Sequence, residues 1–333
     1  MLVSAPPAGS VRVPAGGSRP DVGAHQVLSV SGESDGADAP GPVLDPAGRG
    51  VAAFRRGILG LQAVLRPLPW RQTRAPWPVM VSEVMLQQTQ ASRVVGPWVD
   101  FVAQFPDPGT CAAAPTGAVV RAWAGLGYNR RAVRLRAAAA AMVERHASQV
   151  PADLHDLLAL PGIGPYTARA VLAFAYEQDV AVVDTNVRRV LSRSVLGRRA
   201  APGELQALAD ALVPPGRGWA WNQGILELGA TVCTSRAPRC ERCPLERHCQ
   251  WRSAGRPDPD PAAGTPVQAP FDGSDRQGRG RLVQRLRAGP LAAGTLAAAA
   301  GWPDDPERAE RVAGMLLADG LAVRDSSGAL RLA

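Results

Sequence analysis

The sequence predicts an all-α protein, and three observations carry that prediction. From Val51 to Trp251 apolar residues recur at helical spacing in segments such as 133–147, 166–176 and 203–213, divided by Pro and Gly, while strand-like alternation is scarce. A tight turn, Pro161-Gly162-Ile163-Gly164-Pro165, separates an apolar helix ending at Leu160 from a second helix starting at Tyr166. Four cysteines, Cys233, Cys240, Cys243 and Cys249, close this region in the spacing C-x6-C-x2-C-x5-C within one Arg-rich segment.

Taken in order, residues 1–48 are rich in Pro, Gly, Ala and Ser without a periodic apolar face, and are read as a disordered tail that cannot bury enough surface to offset ordering entropy. No charged start followed by an apolar stretch occurs there, so a secretory signal is not expected and a cytoplasmic, nucleoid-associated location is. Residues 252–279 return to Pro, Gly and Asp and read as a linker. Segments 280–288, 292–300 and 306–319 then read as short helices. Leu321 to Leu332 alternates around Asp325-Ser326-Ser327-Gly328 as a hairpin, giving a small winged-helix-like unit at 280–333. With 333 residues, 46% of them hydrophobic, and no apolar run long enough to span a bilayer, the chain is expected to be a soluble monomer of one large or two ordinary domains.

The net charge is +8, and all 37 residues counted as Lys or Arg are arginine. That balance suits a polyanionic partner, though it also suits ordinary solubility. In the cysteine loop, thiolates are the ligands of 4Fe-4S clusters, and four within one segment can wrap a single cluster without help from elsewhere. Zinc is the alternative, but its structural sites usually pair two close knuckles, and only Cys240 and Cys243 form one. Disulfides are disfavoured because no targeting segment is read and Cys111, the other cysteine, stands alone in apolar surroundings. Arg236, Arg239, Arg242 and Arg247 outnumber Glu241 and Glu246 around the loop, which favours a structural, phosphate-gripping cluster over an electron carrier. His248 is a neighbour outside the four-cysteine pattern.

The turn at 161–165 has its own chemistry. Gly162 and Gly164 let the backbone turn sharply and aim consecutive amide N–H groups beside a helix N-terminus, a site for a phosphate oxygen; a plain turn is the alternative. Downstream, the apolar run Val180 to Val183 leads into Asp184-Thr185-Asn186 at the start of a helix over 187–195, where Asp184 is either a catalytic carboxylate or a helix cap. Glu83 is a carboxyl amid apolar residues in Ser82-Glu83-Val84-Met85-Leu86-Gln87-Gln88-Thr89, followed by two glutamines suited to base edges. Burial raises a carboxyl pKa toward that of a general acid working near neutrality; a solvated helix glutamate is the alternative.

Ser82 through Gln90, Gly125-Leu126-Gly127-Tyr128, Leu160 to Ala168, Asp184-Thr185-Asn186 and the four cysteines together resemble the MutY-type adenine DNA glycosylases over about residues 51–251. The hairpin and cysteine motifs are shared with the wider endonuclease III superfamily, and the Glu83 motif is more specific to the adenine branch. The resemblance implies a two-lobed helix-hairpin-helix glycosylase fold, with a six-helix barrel over 76–185, a 4Fe-4S cluster domain from 51–75 and 186–251, and the active site between them. It implies that Glu83 protonates adenine at N7, that Asp184 stabilises an oxocarbenium-like sugar with Asn186 positioning that region, and that Gln88 and Tyr128 fill the gap left by an extruded base. The implied partner is double-stranded DNA holding adenine mispaired with 8-oxoguanine or guanine. Tyr166 takes the place of the Schiff-base lysine of bifunctional members, and since the chain contains no lysine, a lysine-based strand-cleaving step is excluded.

Three departures from the family are visible. The segment after the cluster lacks the Gly- and Glu-rich Nudix signature through which family members commonly recognise 8-oxoguanine, Pro165 replaces the usual Arg or Ala, and Asn129 stands where a second Tyr is common. Arg279, Arg281, Arg285 and Arg287 are read as facing either DNA phosphates or solvent. Two other functions stay open at this point: a thymine or uracil glycosylase acting opposite guanine, and a non-catalytic iron–sulfur DNA-binding protein.

Overall fold

The chain is described from a computed structural model over residues 49–263 and 270–333; the tail read at 1–48 and residues 264–269 of the expected linker lie outside the described residues. Helix α1 (Arg49–Leu59) opens them, followed by 3-10 turns at Gly60–Val64 and Pro69–Arg71. A run of helices then follows: α2 (Pro76–Leu86), α3 (Ala91–Gln104), α4 (Pro108–Ala113), α5 (Thr116–Ala122), α6 (Arg130–Arg145), α7 (Leu154–Leu158) and α8 (Pro165–Phe174). Helix α2 is apolar around its whole circumference, with Trp77 and every residue from Val79 to Met85 buried, so it sits in the interior instead of on a surface. Met80, Met85, Phe101, Trp123, Leu135 and Met142 fill the core around it. Each such side chain contributes about 1.5–3 kcal/mol of transfer free energy.

A second apolar cluster joins α1 to α9 (Thr185–Leu191), α10 (Pro202–Leu212) and α11 (Gly218–Thr231) around Phe54, Ile58, Leu191 and Trp221. The first described helix therefore packs with segments more than a hundred residues later. Gly224 permits this closeness, because a Cβ there would meet the Ile58 carbonyl oxygen at 2.5 Å. A smaller cluster of Val79, Ala170, Ala173, Phe174 and Val182 lies at the α2 and α8 contact.

The helix expected over 187–195 is shorter. It runs from Thr185 to Leu191 and gives way to a π turn at Ser192–Leu196, closed by Gly197 at φ 63°. The π turn aims Arg193 inward, where it is 1% exposed.

Beyond the short α12 (Gln250–Ser253), helix α13 (Asp275–Ala288) begins five residues before the expected 280, inside the stretch read as linker. Ser274 caps it by accepting from the Gln277 amide. The glycine that made this stretch look linker-like has a packing cause, since a Cβ on Gly278 would collide with the Trp302 ring. Helices α14 (Leu296–Ala300) and α15 (Pro306–Ala318) and the strands β1 (Ala322–Arg324) and β2 (Leu330–Leu332) follow. The strands pair antiparallel in the register Ala322↔Leu332, Val323↔Arg331 and Arg324↔Leu330. They are the only strands among the described residues, so the all-α reading holds with a three-helix and hairpin unit at its end. Leu282, Leu286, Leu316 and Leu330 belong to the same apolar core as Trp123 and Leu135. No helix among the described residues is long and apolar enough to cross a membrane.

Candidate active site

An open cleft of about 540 Å³ is lined by Arg71, Glu83, Tyr166, Asp184, Asn186 and Gln223 among others. It gathers residues from α2, α8, α9 and α11. Glu83, near the C-terminal end of α2, is 4% exposed and accepts a hydrogen bond of 3.1 Å from the Tyr166 hydroxyl at Oε2. Burial pushes the Glu83 carboxyl up to about 7; the charge of Asp184 adds to that rise, while the Tyr166 hydrogen bond and the charge of Arg71 oppose it. Burial first, and then the two carboxylates, hold the Tyr166 hydroxyl well above its ordinary range, so it remains a neutral donor. On the cleft wall, Arg66 and Arg71 both reach the buried Glu227, at 2.7 and 2.8 Å, and Arg71 also donates to Gln223 Oε1 at 2.7 Å.

Asp184 is the helix cap, and it also lines the cleft. Its Oδ1 caps α9 by accepting from the Asn186 and Val187 amides at 2.8 and 2.7 Å, while Oδ2 accepts from Asn186 Nδ2 at 2.7 Å. Asn186 Oδ1 accepts in turn from Arg189 Nη2 at 2.7 Å, and Arg189 Nε donates to the Cys233 carbonyl at 2.6 Å. A continuous relay thus joins the cleft carboxylate to the cysteine loop.

The turn between α7 and α8 is built as the glycines require. Asp153 caps α7 through the His155 and Asp156 amides, Leu160 and Ile163 anchor the turn in the core, and Pro161 and Gly162 face solvent. Gly162 adopts φ 77°, and a Cβ there would lie 2.7 Å from Arg134 Cβ. Gly164 is the N-cap of α8 and Pro165 its first residue, where a missing N–H costs nothing.

Of the residues expected at the base, Gln88 is exposed at φ 55° and Tyr128 is 45% exposed at φ 45°. Both are left-handed non-glycine residues, conformations that persist only when the surroundings enforce them. Gln87 differs from expectation: its amide donates to Thr167 Oγ1 at 3.0 Å instead of standing free for a base edge.

Sequence reasoning missed Arg131. Its buried guanidinium donates to the carbonyls of Val84, Met85 and Gln87 at 2.8, 2.8 and 2.6 Å, and to Thr89 Oγ1 at 3.0 Å. The same group reaches the Leu126 and Gly127 carbonyls at 3.3 and 3.2 Å. It therefore satisfies the buried C-terminal carbonyls of α2, which lack partners within the helix, and ties the Gln88 loop to the Tyr128 loop. Nothing in Arg130-Arg131 marks the second arginine as the buried one before packing is known.

The four cysteines are free and line one cavity together with Arg193 and Trp251. Among the described residues, no three His, Cys, Asp or Glu side chains converge as tightly as a single metal ion demands. Four thiols on one cavity are the donor set that an iron–sulfur cluster takes. Arg193 approaches Cys233 Sγ at 3.5 Å and is held by Asp260 and by the carbonyls of Thr234 and Ser235. Arg236, Arg239 and Arg242 are exposed around the loop and form no ion pairs among the described residues.

Residues 81–215 match the family model of the HhH-GPD superfamily base excision DNA repair proteins. The chain is 46% identical over 274 residues to an adenine DNA glycosylase of Mycobacterium tuberculosis, covering 80% of this chain and 89% of that protein. The chain belongs to the MutY-type adenine DNA glycosylases. The glycosylase is thus a hydrolase, an adenine-specific DNA N-glycosylase of base-excision repair. It is also similar to the structure of a thermostable thymine-DNA glycosylase, with TM-score 0.58 and 27% identity over 63% of this chain and all of that one. A non-covalent endonuclease III–DNA complex has the same fold, with TM-score 0.55 and 21% identity over 65% of this chain and all of that one.

Proposed function

We propose that the glycosylase removes adenine mispaired with 8-oxoguanine or guanine from double-stranded DNA and leaves an abasic site without cutting the strand. The observation that carries the reading is the pairing of Glu83 and Asp184 on one cleft, with Glu83 held by Tyr166 and lifted to about 7. A carboxyl at that pKa is half protonated near neutrality and donates its proton to N7 of the extruded adenine, making the base a better leaving group. Asp184, locked by its cap bonds and by Asn186, faces the positive charge that develops on the sugar, the division of labour seen when two carboxyls flank a glycosidic bond. Water completes the hydrolysis. Tyr166 occupies the position of a Schiff-base lysine, and the absence of lysine from the sequence supports a monofunctional enzyme.

DNA contacts follow the same division. The amides at Gly162 and Gly164 receive a backbone phosphate, Arg236, Arg239 and Arg242 receive others, and Gln88 and Tyr128 enter the stack where the adenine leaves. Gln87 supports that loop through Thr167. Cys233, Cys240, Cys243 and Cys249 hold a 4Fe-4S cluster, which supplies a structural fastening for the arginine loop. In this reading residues 51–75 and 186–251 form the cluster domain, 76–185 the barrel and 280–333 the winged-helix-like unit, and the protein works as a cytoplasmic, nucleoid-associated monomer.

The test is single-turnover base release from duplexes holding adenine opposite 8-oxoguanine, adenine opposite guanine, and thymine or uracil opposite guanine. Adenine release from the first two supports the reading. Release of thymine or uracil instead overturns it in favour of the mismatch pyrimidine branch.

A further inference from the structure

Three of the basic residues of α13, Arg279, Arg281 and Arg287, are held by other parts of the fold, while Arg285 is exposed. Arg287, half-buried, donates through Nη2 to Asn129 Oδ1 at 2.9 Å and reaches the Val120 carbonyl through Nε and Nη2 at 3.3 Å. Arg279 pairs with Asp319 at the end of α15, and the other oxygen of Asp319 pairs with Arg130 Nε at 3.1 Å. Arg281 turns to the Ala300 carbonyl. Hence Asn129 and Arg130, the two residues that follow Tyr128, are each held by a side chain more than 150 positions later, and the next residue, Arg131, is the buried clasp.

The loop so held is one that would not hold itself. Gly125 at φ 82°, Gly127 at φ 68° and Tyr128 at φ 45° are consecutive or near-consecutive left-handed residues, and Tyr128 is 45% exposed with the Arg131 guanidinium 5.6 Å from its ring centre. Glycine adopts this conformation freely, but a tyrosine persists in it only where the surroundings hold it. Pinning comes from Arg131 on the barrel side and from Arg287 and Asp319 on the C-terminal side. The shared apolar core beneath α13 and α5 keeps those two side chains in place.

We propose that the C-terminal helices and hairpin brace the Tyr128 loop, with Arg287 and Asp319 as positioning residues for the side chain that enters the duplex. The inference rests on the proposed insertion of Tyr128 into DNA. It gives the winged-helix-like unit a role through the barrel loop instead of through its own phosphate contacts. Asn129, a departure from the usual second tyrosine, becomes the receptor of that brace.

The experiment uses the full-length protein with Arg287→Met, Asp319→Asn and Tyr128→Ala, singly and with each brace variant combined with Tyr128→Ala. Amide hydrogen exchange of residues 125–131 is followed in the free protein, and single-turnover adenine release is followed opposite 8-oxoguanine and guanine. The brace predicts faster exchange in 125–131 and a loss of about tenfold or more in the release rate, as expected for misplacement of a positioning group. In the Tyr128→Ala background the brace variants have no further effect, because the side chain they position is gone. Unchanged exchange in that loop overturns the proposal, and so does a brace-variant loss of equal size with and without Tyr128. If Arg287→Met does not fold, Arg287→Lys, which keeps the charge but not the fork, takes its place. Should the wild type release no adenine, the proposed function fails while the exchange measurement still decides the brace.

Discussion

The Tyr166 hydroxyl donates to Oε2 of Glu83 at 3.1 Å, bringing the residue just after the hairpin turn onto the acid of α2. Where a lysine would supply a nucleophilic amine, this phenol supplies a hydrogen bond that favours the ionised form of Glu83 and so moderates the rise caused by burial. The balance leaves Glu83 able both to hold a proton near neutrality and to release it.

The first prediction concerns pH. In the proposed reaction the acid form of Glu83 is the active one, and with its carboxyl at about 7 the single-turnover rate of adenine release is expected to fall as pH rises through that value. Tyr166→Phe removes a contribution that lowers the pKa, so the alkaline limb moves to higher pH. A pH–rate profile from 5 to 9 checks both statements, and an unmoved limb in Tyr166→Phe contradicts the assigned balance.

Stability moves in the same direction. Glu83 has its folded pKa raised from 4.5 to about 7, so the folded state binds the proton more tightly, and stability falls as pH rises across that interval before levelling off. The full cost above pH 7 is on the order of 3 kcal/mol. Glu83→Gln keeps an acceptor for Tyr166 and carries no charge. It is expected to be inactive yet more stable than wild type at pH 8, with the difference gone at pH 4, as read by urea denaturation.

Arg131 is expected to be among the most sensitive positions outside the cleft. Replacing it by Met strands buried carbonyls at the end of α2 and loosens both loops, at a cost of about 2–4 kcal/mol. Denaturation midpoints measure this, and a change under about 0.5 kcal/mol would show that water replaces the guanidinium without penalty.

Cys240→Ser tests the cluster. If the four thiols hold a structural cluster that arranges Arg236, Arg239 and Arg242, iron content and duplex affinity are lost together. Full affinity in an iron-free protein contradicts the role assigned to the loop.

Much of this was legible in the sequence because the chemistry concentrates in short segments. Glu83 stood out as a charge in an apolar helix, Gly162 and Gly164 as a tight turn, for which Gly162 supplies the left-handed backbone, and the cysteines by spacing. What stayed hidden depends on long-range packing. Arg131 looks like its neighbour Arg130, the function of Gly278 depends on the remote Trp302, and Arg279 and Arg287 of α13 read as part of a basic face because their partners Asn129, Val120 and Asp319 are remote or on another helix. Gln87 read as a base contact because Thr167, its partner, lies 80 positions away.

The account rests on two carboxyls dividing one reaction, and the most direct measurement is single-turnover adenine release opposite 8-oxoguanine by wild type, Glu83→Gln and Asp184→Asn, with folding and iron content matched. The predicted result is a loss of about a thousandfold or more in each variant. Adenine release by Glu83→Gln at the wild-type rate would contradict it.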